Sequence, residues 1–125
     1  MSIYIEIHGK KYPASITGRL HDDSWNNRAS KAITLNMTYE EALEAFTHDA
    51  QWKILQCHEE TSETLNLETQ EIISTTTLVV DNEHDNSEYS IAGDIIDHRD
   101  GTVTVKMGQP TAEELLNMIM EELSL

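Results

Sequence analysis

The chain has 125 residues, 38% of them hydrophobic and 25% charged, with a formal net charge of −15. That length suits one soluble globular domain, expected over residues 1–125, and no apolar run approaches the ~20 residues a membrane helix needs. The opening MSIYIEIHGKKYP lacks the basic start and unbroken apolar stretch of a signal peptide, and the single cysteine, Cys57, excludes an intrachain disulfide and a cysteine-based zinc cage.

The charge is unevenly spread. Residues 1–38 carry a net +2, residues 39–100 a net −14 and residues 101–125 a net −3. Such a surface repels phosphate backbones and anionic membranes, so neither nucleic acid nor membrane is an expected partner. Protein partners are expected instead. The asymmetry allows head-to-tail self-association between a mildly basic end and an acidic one, a contact that salt weakens. Acidity can equally serve solubility alone.

Ile3, Ile5 and Ile7 alternate with Tyr4, Glu6 and His8, which predicts a half-buried strand. His8-Gly9-Lys10 reads as a turn, and residues 11–16 as the returning strand. Pro13 assigns that strand to a sheet edge, because proline donates no ladder hydrogen bond. Residues 17–29 are polar and read as a loop. Ile33, Leu35 and Met37 predict a third strand. Thr38 with Glu41 forms a capping box for a short helix with Ala42, Leu43 and Phe46 on its apolar face. In the next strand Trp52, Ile54 and Gln56 share one face and Lys53, Leu55 and Cys57 the other. Residues 58–70 are acidic and weakly patterned, either a mobile loop or the extension of a long hairpin.

Residues 72–80, rich in Ile, Thr and Val, predict a strand, and residues 81–86 a polar turn. Tyr89, Ile91, Gly93 and Ile95 alternate as a further strand. Asp97–Gly101 reads as a hairpin loop in which Asp100-Gly101 supplies positive φ, and Val103 and Val105 belong to its partner strand. Thr111 with Glu114 is a second capping box. It opens a terminal amphipathic helix whose stripe holds Leu115, Leu116, Ile119, Met120 and Leu123. The expected class is α+β: a mainly antiparallel sheet of six to seven strands, a short helix after strand three and a C-terminal amphipathic helix.

Candidate chemistry is thin. Asp81, Glu83 and Asp85 have the opening spacing of a calcium loop, but Asn86 and Ala92 stand where the turn glycine and bidentate glutamate belong. His98-Arg99-Asp100 matches three letters of a kinase catalytic loop with nothing else of that set. His84, Asp94, Asp97 and His98 could meet across a hairpin, though their spacing is not that of metal ligands. Cys57 and His58 are strand neighbours on opposite faces and cannot pair. No catalytic residue, cofactor or metal is expected, and the chain reads as a non-enzyme.

Two features point to protein contact. Trp25 lies in a polar loop beside Arg28, and either folds back as a lid on the core or anchors a partner together with Arg28. The terminal helix carries Met118, Ile119, Met120, Leu123 and Leu125, apolar over more than one face. It packs on the core alone or on the core and a neighbouring subunit. Trp25, Arg28, Met118 and Leu123 are therefore the candidate interface residues.

Two segments carry a resemblance. The first is Trp25-Asn-Asn-Arg28-Ala-Ser30-Lys31-Ala-Ile-Thr34-Leu35, running through Met37-Thr38-Tyr39 and the helix to Trp52. The second is the nearly unbroken stretch from Ser87 to Gly108. Together they resemble small prophage-encoded proteins from the tail-gene region of Gram-positive bacteria. The resemblance implies a non-enzymatic structural or assembly component of a phage tail, made in the host cytoplasm, whose partners are itself or other tail proteins. It brings no catalytic residues. The alternative, from charge alone, is a small acidic inhibitor that mimics nucleic acid on a basic protein surface. That reading requires carboxylates arrayed on one face.

Overall fold

The isoleucines at 3, 5 and 7 do form a strand, and the rest of the sheet is laid out on either side of it. A computed structural model describes residues 2–123; Leu125 lies outside the described residues. The elements are β1 (Ser2–Ile7), β2 (Lys10–Asp22), β3 (Arg28–Asn36), α1 (Tyr39–Ala45), β4 (Trp52–Asn66), β5 (Glu71–Asp85), β6 (Ile91–Asp97), β7 (Thr102–Gly108) and α2 (Ala112–Leu123). The strands form one seven-stranded sheet in the order β5-β4-β1-β2-β3-β7-β6, antiparallel at every pairing. This is the α+β arrangement expected, with a short helix after the third strand and a second at the C-terminal end.

Pro13 does not mark an edge, because β2 lies between β1 and β3. The first residues of β2 pair with β1 as far as Tyr4↔Pro13, and pairing with β3 begins at Ala14↔Leu35. Proline sits where the strand exchanges one partner for the other, a position at which a missing N–H is tolerated. The polar stretch 17–29 is also mostly strand: β2 continues to Asp22 and β3 starts at Arg28. Asn26 and Asn27, both at positive φ, make the turn between them.

One face of the sheet holds the core. Ile5 and Ile7 from β1, Ile33 and Leu35 from β3, Val103, Val105 and Met107 from β7, and Trp52 from β4 are all buried there. α1 covers this face with Ala42, Ala45 and Phe46, while Leu43 remains exposed. Its capping box forms as expected: Glu41 N donates to Thr38 Oγ1 at 3.1 Å. Phe46 meets Trp52 edge-on at 6.4 Å, and the Trp52 indole N–H donates to the Tyr89 carbonyl at 3.3 Å. Tyr89 therefore packs from the β5–β6 connection and not from a strand.

Residues 58–70 are the extension of a long hairpin. β4 and β5 pair without interruption from Cys57↔Val80 to Asn66↔Glu71. The expected turn at 81–86 is still strand as far as Asp85, because Asn82–Asp85 pair with Lys53–Gln56 across a bulge at Asp81. The connection to β6 follows Asp85, where Tyr89 N donates to the Asn86 carbonyl at 3.0 Å, and the β4–β5 turn is closed at the tip by Gln70 N donating to the Asn66 carbonyl at 2.7 Å and Glu68 N to Asn66 Oδ1 at 3.0 Å.

Core and hairpin differ in what they contribute to stability. Ile33→Ala is expected to lose about 2–5 kcal/mol in urea denaturation, as a buried large-to-small change does. Leu65→Ala on the hairpin is expected to stay within about 0.5 kcal/mol, since its side chain is 54% exposed.

Candidate interface

β1 pairs with β4 only as far as Ser2↔Cys57. Beyond that point residues 58–66 and their β5 partners have no strand on either outer side, and they extend as a two-stranded arm. Nine residues at ~3.3 Å each carry its tip about 30 Å beyond the end of β1. Its β-branched sequence and cross-strand pairs such as Thr61 with Thr76 (3.3 Å between hydroxyl oxygens) hold it extended. At the tip, Leu65 lies opposite Ile72, Ile73 occupies the other face, and Leu67 in the turn is 84% exposed.

The arm also carries a histidine cluster that the sequence spacing did not reveal. His58 Nδ1 lies 2.7 Å from Asp81 Oδ2 and its Nε2 lies 2.9 Å from Glu60 Oε1. The Asp81 and then the Glu60 hydrogen bonds hold the imidazole above the ordinary histidine range. The bulge at Asp81 brings this group over, which strand alternation alone does not anticipate. Cys57 is buried, as a small packed residue, and burial raises its thiol pKa. His98 bonds Thr104 Oγ1 at 2.7 Å instead of meeting His84. Among the described residues no grouping of His, Cys, Asp and Glu has the geometry to hold a metal ion, and no helix is long and apolar enough to cross a membrane.

Of the four interface candidates, Trp25 and Arg28 meet on the sheet face opposite the core. Asp22 is 0% exposed. It accepts from Ser24 Oγ at 2.5 Å, from Ser30 Oγ at 3.0 Å and from Lys106 Nζ at 3.0 Å. The Ser24 bond first, then Lys106, holds its carboxyl well below the usual carboxylate range. Asp22 thereby fixes the turn that displays Trp25. The outer edge of the indole's six-membered ring packs against two glycines: a Cβ at Gly93 would stand 2.7 Å from Trp25 Cη2, and one at Gly108 would stand 2.9 Å from Trp25 Cζ3. Trp25 thus covers the face of the sheet away from the core.

Arg28 stacks on that indole with its guanidinium carbon 4.7 Å from the ring centroid. Its Nη1 donates to Glu114 Oε1 at 2.7 Å, its Nη2 to Glu114 Oε2 at 3.3 Å, and Nη1 also reaches the Gln109 carbonyl at 3.2 Å. Arg28 is buried, so its donors serve the chain itself. Glu114 closes the second capping box as well, accepting from Thr111 N at 2.9 Å. Backbone and arginine bonds together hold its carboxyl below the usual range. Trp25 and Arg28 form a mount, and what they hold is the first turn of α2.

The rest of α2 is unpacked. None of its residues is buried, and Leu115, Leu116, Met118, Ile119, Met120 and Leu123 are all exposed, Leu123 at 81%. Leu115, Ile119 and Leu123 follow helical spacing on one face, with Leu116 and Met120 beside them, whereas Met118 falls between Glu114 and Glu122. The helix does not pack on its own core.

The arm and α2 share a direction. β1 runs antiparallel to both β2 and β4, β3 antiparallel to β2, and β7 antiparallel to β3. So β2, β4 and β7 all point one way. The arm continues β4 and α2 follows β7, and both leave the same end of the sheet.

The charges are arranged differently from the linear sequence. Arg19, Arg28, Lys53 and Lys106 lie within salt-bridge distance of Asp or Glu, and Lys31 donates to Asn86 Oδ1 while lying over the Tyr89 ring. Lys10 shares a cleft with Glu41 and Glu44. Within residues 1–38 Arg28 is buried in its ion pair with Glu114, whereas Arg19 reaches Asp22 only at 3.9 Å with its side chain largely exposed. The acids of the arm divide by strand alternation: Glu59 and Glu63 share one face, Glu60 and Glu71 the other. A nucleic-acid mimic has no single carboxylate array there.

Comparison with protein-family models, with curated proteins and with solved structures finds no match for this chain.

Two outcomes test the mount. Gly108→Ala forces the Arg28 side chain and the indole apart, and urea denaturation is expected to show a loss of about 1–3 kcal/mol. Asp22 has a folded-state pKa below its unfolded value. Its stabilisation is therefore complete above about pH 4 and declines as the pH falls toward the folded value. Thermal unfolding followed from pH 6 to pH 2 is expected to show Asp22→Asn less stable than the native chain near neutrality and shallower in its acid decline.

Proposed function

We propose that this chain is a non-enzymatic structural or assembly component of a phage tail, acting through protein–protein contacts of the arm and α2. One observation carries the reading: the exposed large apolar residues are concentrated on two elements that the chain's own core does not use. A twelve-residue helix is marginal in water unless its apolar face is covered, and an exposed apolar hairpin tip about 30 Å beyond the end of β1 is suited to contacting another molecule. The tail setting rests on the resemblance of residues 25–52 and 87–108 to prophage tail-region proteins. It sets the protein's work in the host cytoplasm, where tails are built, and then in the virion.

The test is genetic and structural. In the induced source prophage, the Leu65→Asp, Ile72→Asp double variant is expected to yield folded protein but no normal tails by electron microscopy. Both positions are exposed, so circular dichroism of the purified variant is expected to match the native chain. Normal, infectious tails from this variant would overturn the proposal.

A further inference from the structure

A carboxylate accepts hydrogen bonds and donates none, and a neutral imidazole has a single N–H. Both ring nitrogens of His58 nevertheless face carboxylate oxygens, Nδ1 at 2.7 Å from Asp81 Oδ2 and Nε2 at 2.9 Å from Glu60 Oε1. Only the imidazolium has a donor for each of them. We infer that His58 is a proton-operated clamp at the root of the arm: protonated, it ties Asp81 of β5 to Glu60 of β4, and on losing its proton it lets one of them go. The clamp acts within one chain and does not depend on what the arm contacts.

Its position gives the proton leverage. Asp81 is the extra residue of the bulge between Gln56↔Asn82 and Cys57↔Val80, and β1 ends its pairing with β4 at Ser2↔Cys57. The clamp therefore joins β4 and β5 where they leave the support of β1. On this face β5 sets Val79 opposite His58 and Thr77 opposite Glu60, and β1 sets Ile3 opposite Gln56. Among the described residues, Asp81 and Glu60 are the charged groups that act on the ring, and their hydrogen bonds, that of Asp81 first, favour its protonated form. Cys57 points to the opposite face. Because the folded-state pKa is raised, the clamp's contribution is complete below the unfolded histidine value of ~6.5 and is lost as the pH rises through the folded value. The Asp81 contact is the shorter, and its side chain is 32% exposed against 66% for Glu60. The neutral ring thus keeps Nδ1–H on Asp81 and Glu60 turns to solvent, since its carboxylate then meets only a lone pair and a like charge.

An NMR titration of the full chain tests this, with amide protection factors read at residues 57–60 and 79–82, because these factors remove the intrinsic pH dependence of exchange. The His58 ring is expected to titrate above the ordinary histidine value, with a midpoint that falls in Glu60→Gln and in Asp81→Asn. Protection at the arm root is expected to drop several-fold as the pH rises through that midpoint. His58→Gln is expected to abolish the pH dependence, and His58→Arg, permanently charged and rich in donors, to hold the low-pH protection at every pH. A His58 midpoint at the ordinary value that neither carboxylate variant moves would overturn the clamp. A raised midpoint with protection that ignores the charge at position 58 would overturn it equally. Either failure leaves the tip contacts of the arm untouched, since no assembly is measured.

Discussion

β2 belongs to both halves of the molecule, and the rest of the fold depends on that. Its first four residues complete the ladder of β1 and its remainder that of β3, with the exchange at Pro13. Because β1 is only six residues long, the strands beside it outrun it. β4 continues alone with β5 and becomes the arm, while β2 continues with β3 and carries the turn that holds Trp25. A longer β1 would have kept both strands within one broad sheet. The short first strand is the reason this chain has a projecting arm at one place and a mounting turn at another.

The core was largely legible from sequence because it obeys period 2. Ile5, Ile7, Ile33, Leu35, Val103 and Val105 alternate as expected and are buried together. The capping boxes at Thr38 and Thr111 were legible for the same local reason. Three features were not. Pro13 read as an edge residue because the partner exchange inside β2 is a property of pairing, which composition does not carry. Residues 17–29 and 81–85 read as loop because polar residues on a solvated strand resemble a turn until register is known. The pairing of Arg28 with Glu114 joins positions far apart in the chain, and no periodicity announces such a contact. Trp25 was legible as a feature, but its seat on Gly93 and Gly108 depends on the bulge in β6, which appears only in the register.

The polar face opposite the core is organised around a charge that cannot easily be released. Asp22 is buried with Ser24, Ser30 and Lys106 as its partners, so removing any one leaves a buried polar atom short of a bond. That fixes the turn, the turn fixes the indole, and the indole supports the flat guanidinium that grips Glu114. The chain of contacts runs from a strand end to a helix start without using the hydrophobic core. Core and mount can therefore be perturbed separately, because they lie on opposite faces of the same strands.

The net charge of −15 and the exposed apolar surfaces work against each other. Charge keeps separate copies apart and soluble, while an apolar tip and a marginal helix favour being covered. Which effect wins depends on local concentration and on what neutralises the acids. In dilute solution repulsion acts over about 10 Å at ordinary ionic strength and the apolar contact only at close range, so charge dominates the approach. Where copies are held together, or where cations gather on Glu63, Glu68, Glu71 and the acids of α2, repulsion falls while the apolar term is unchanged. A surface that covered α2 would add to its stability, since within the chain the helix is held only at its first turn. Under the proposed assembly role, covering α2 and completing its stability are one event.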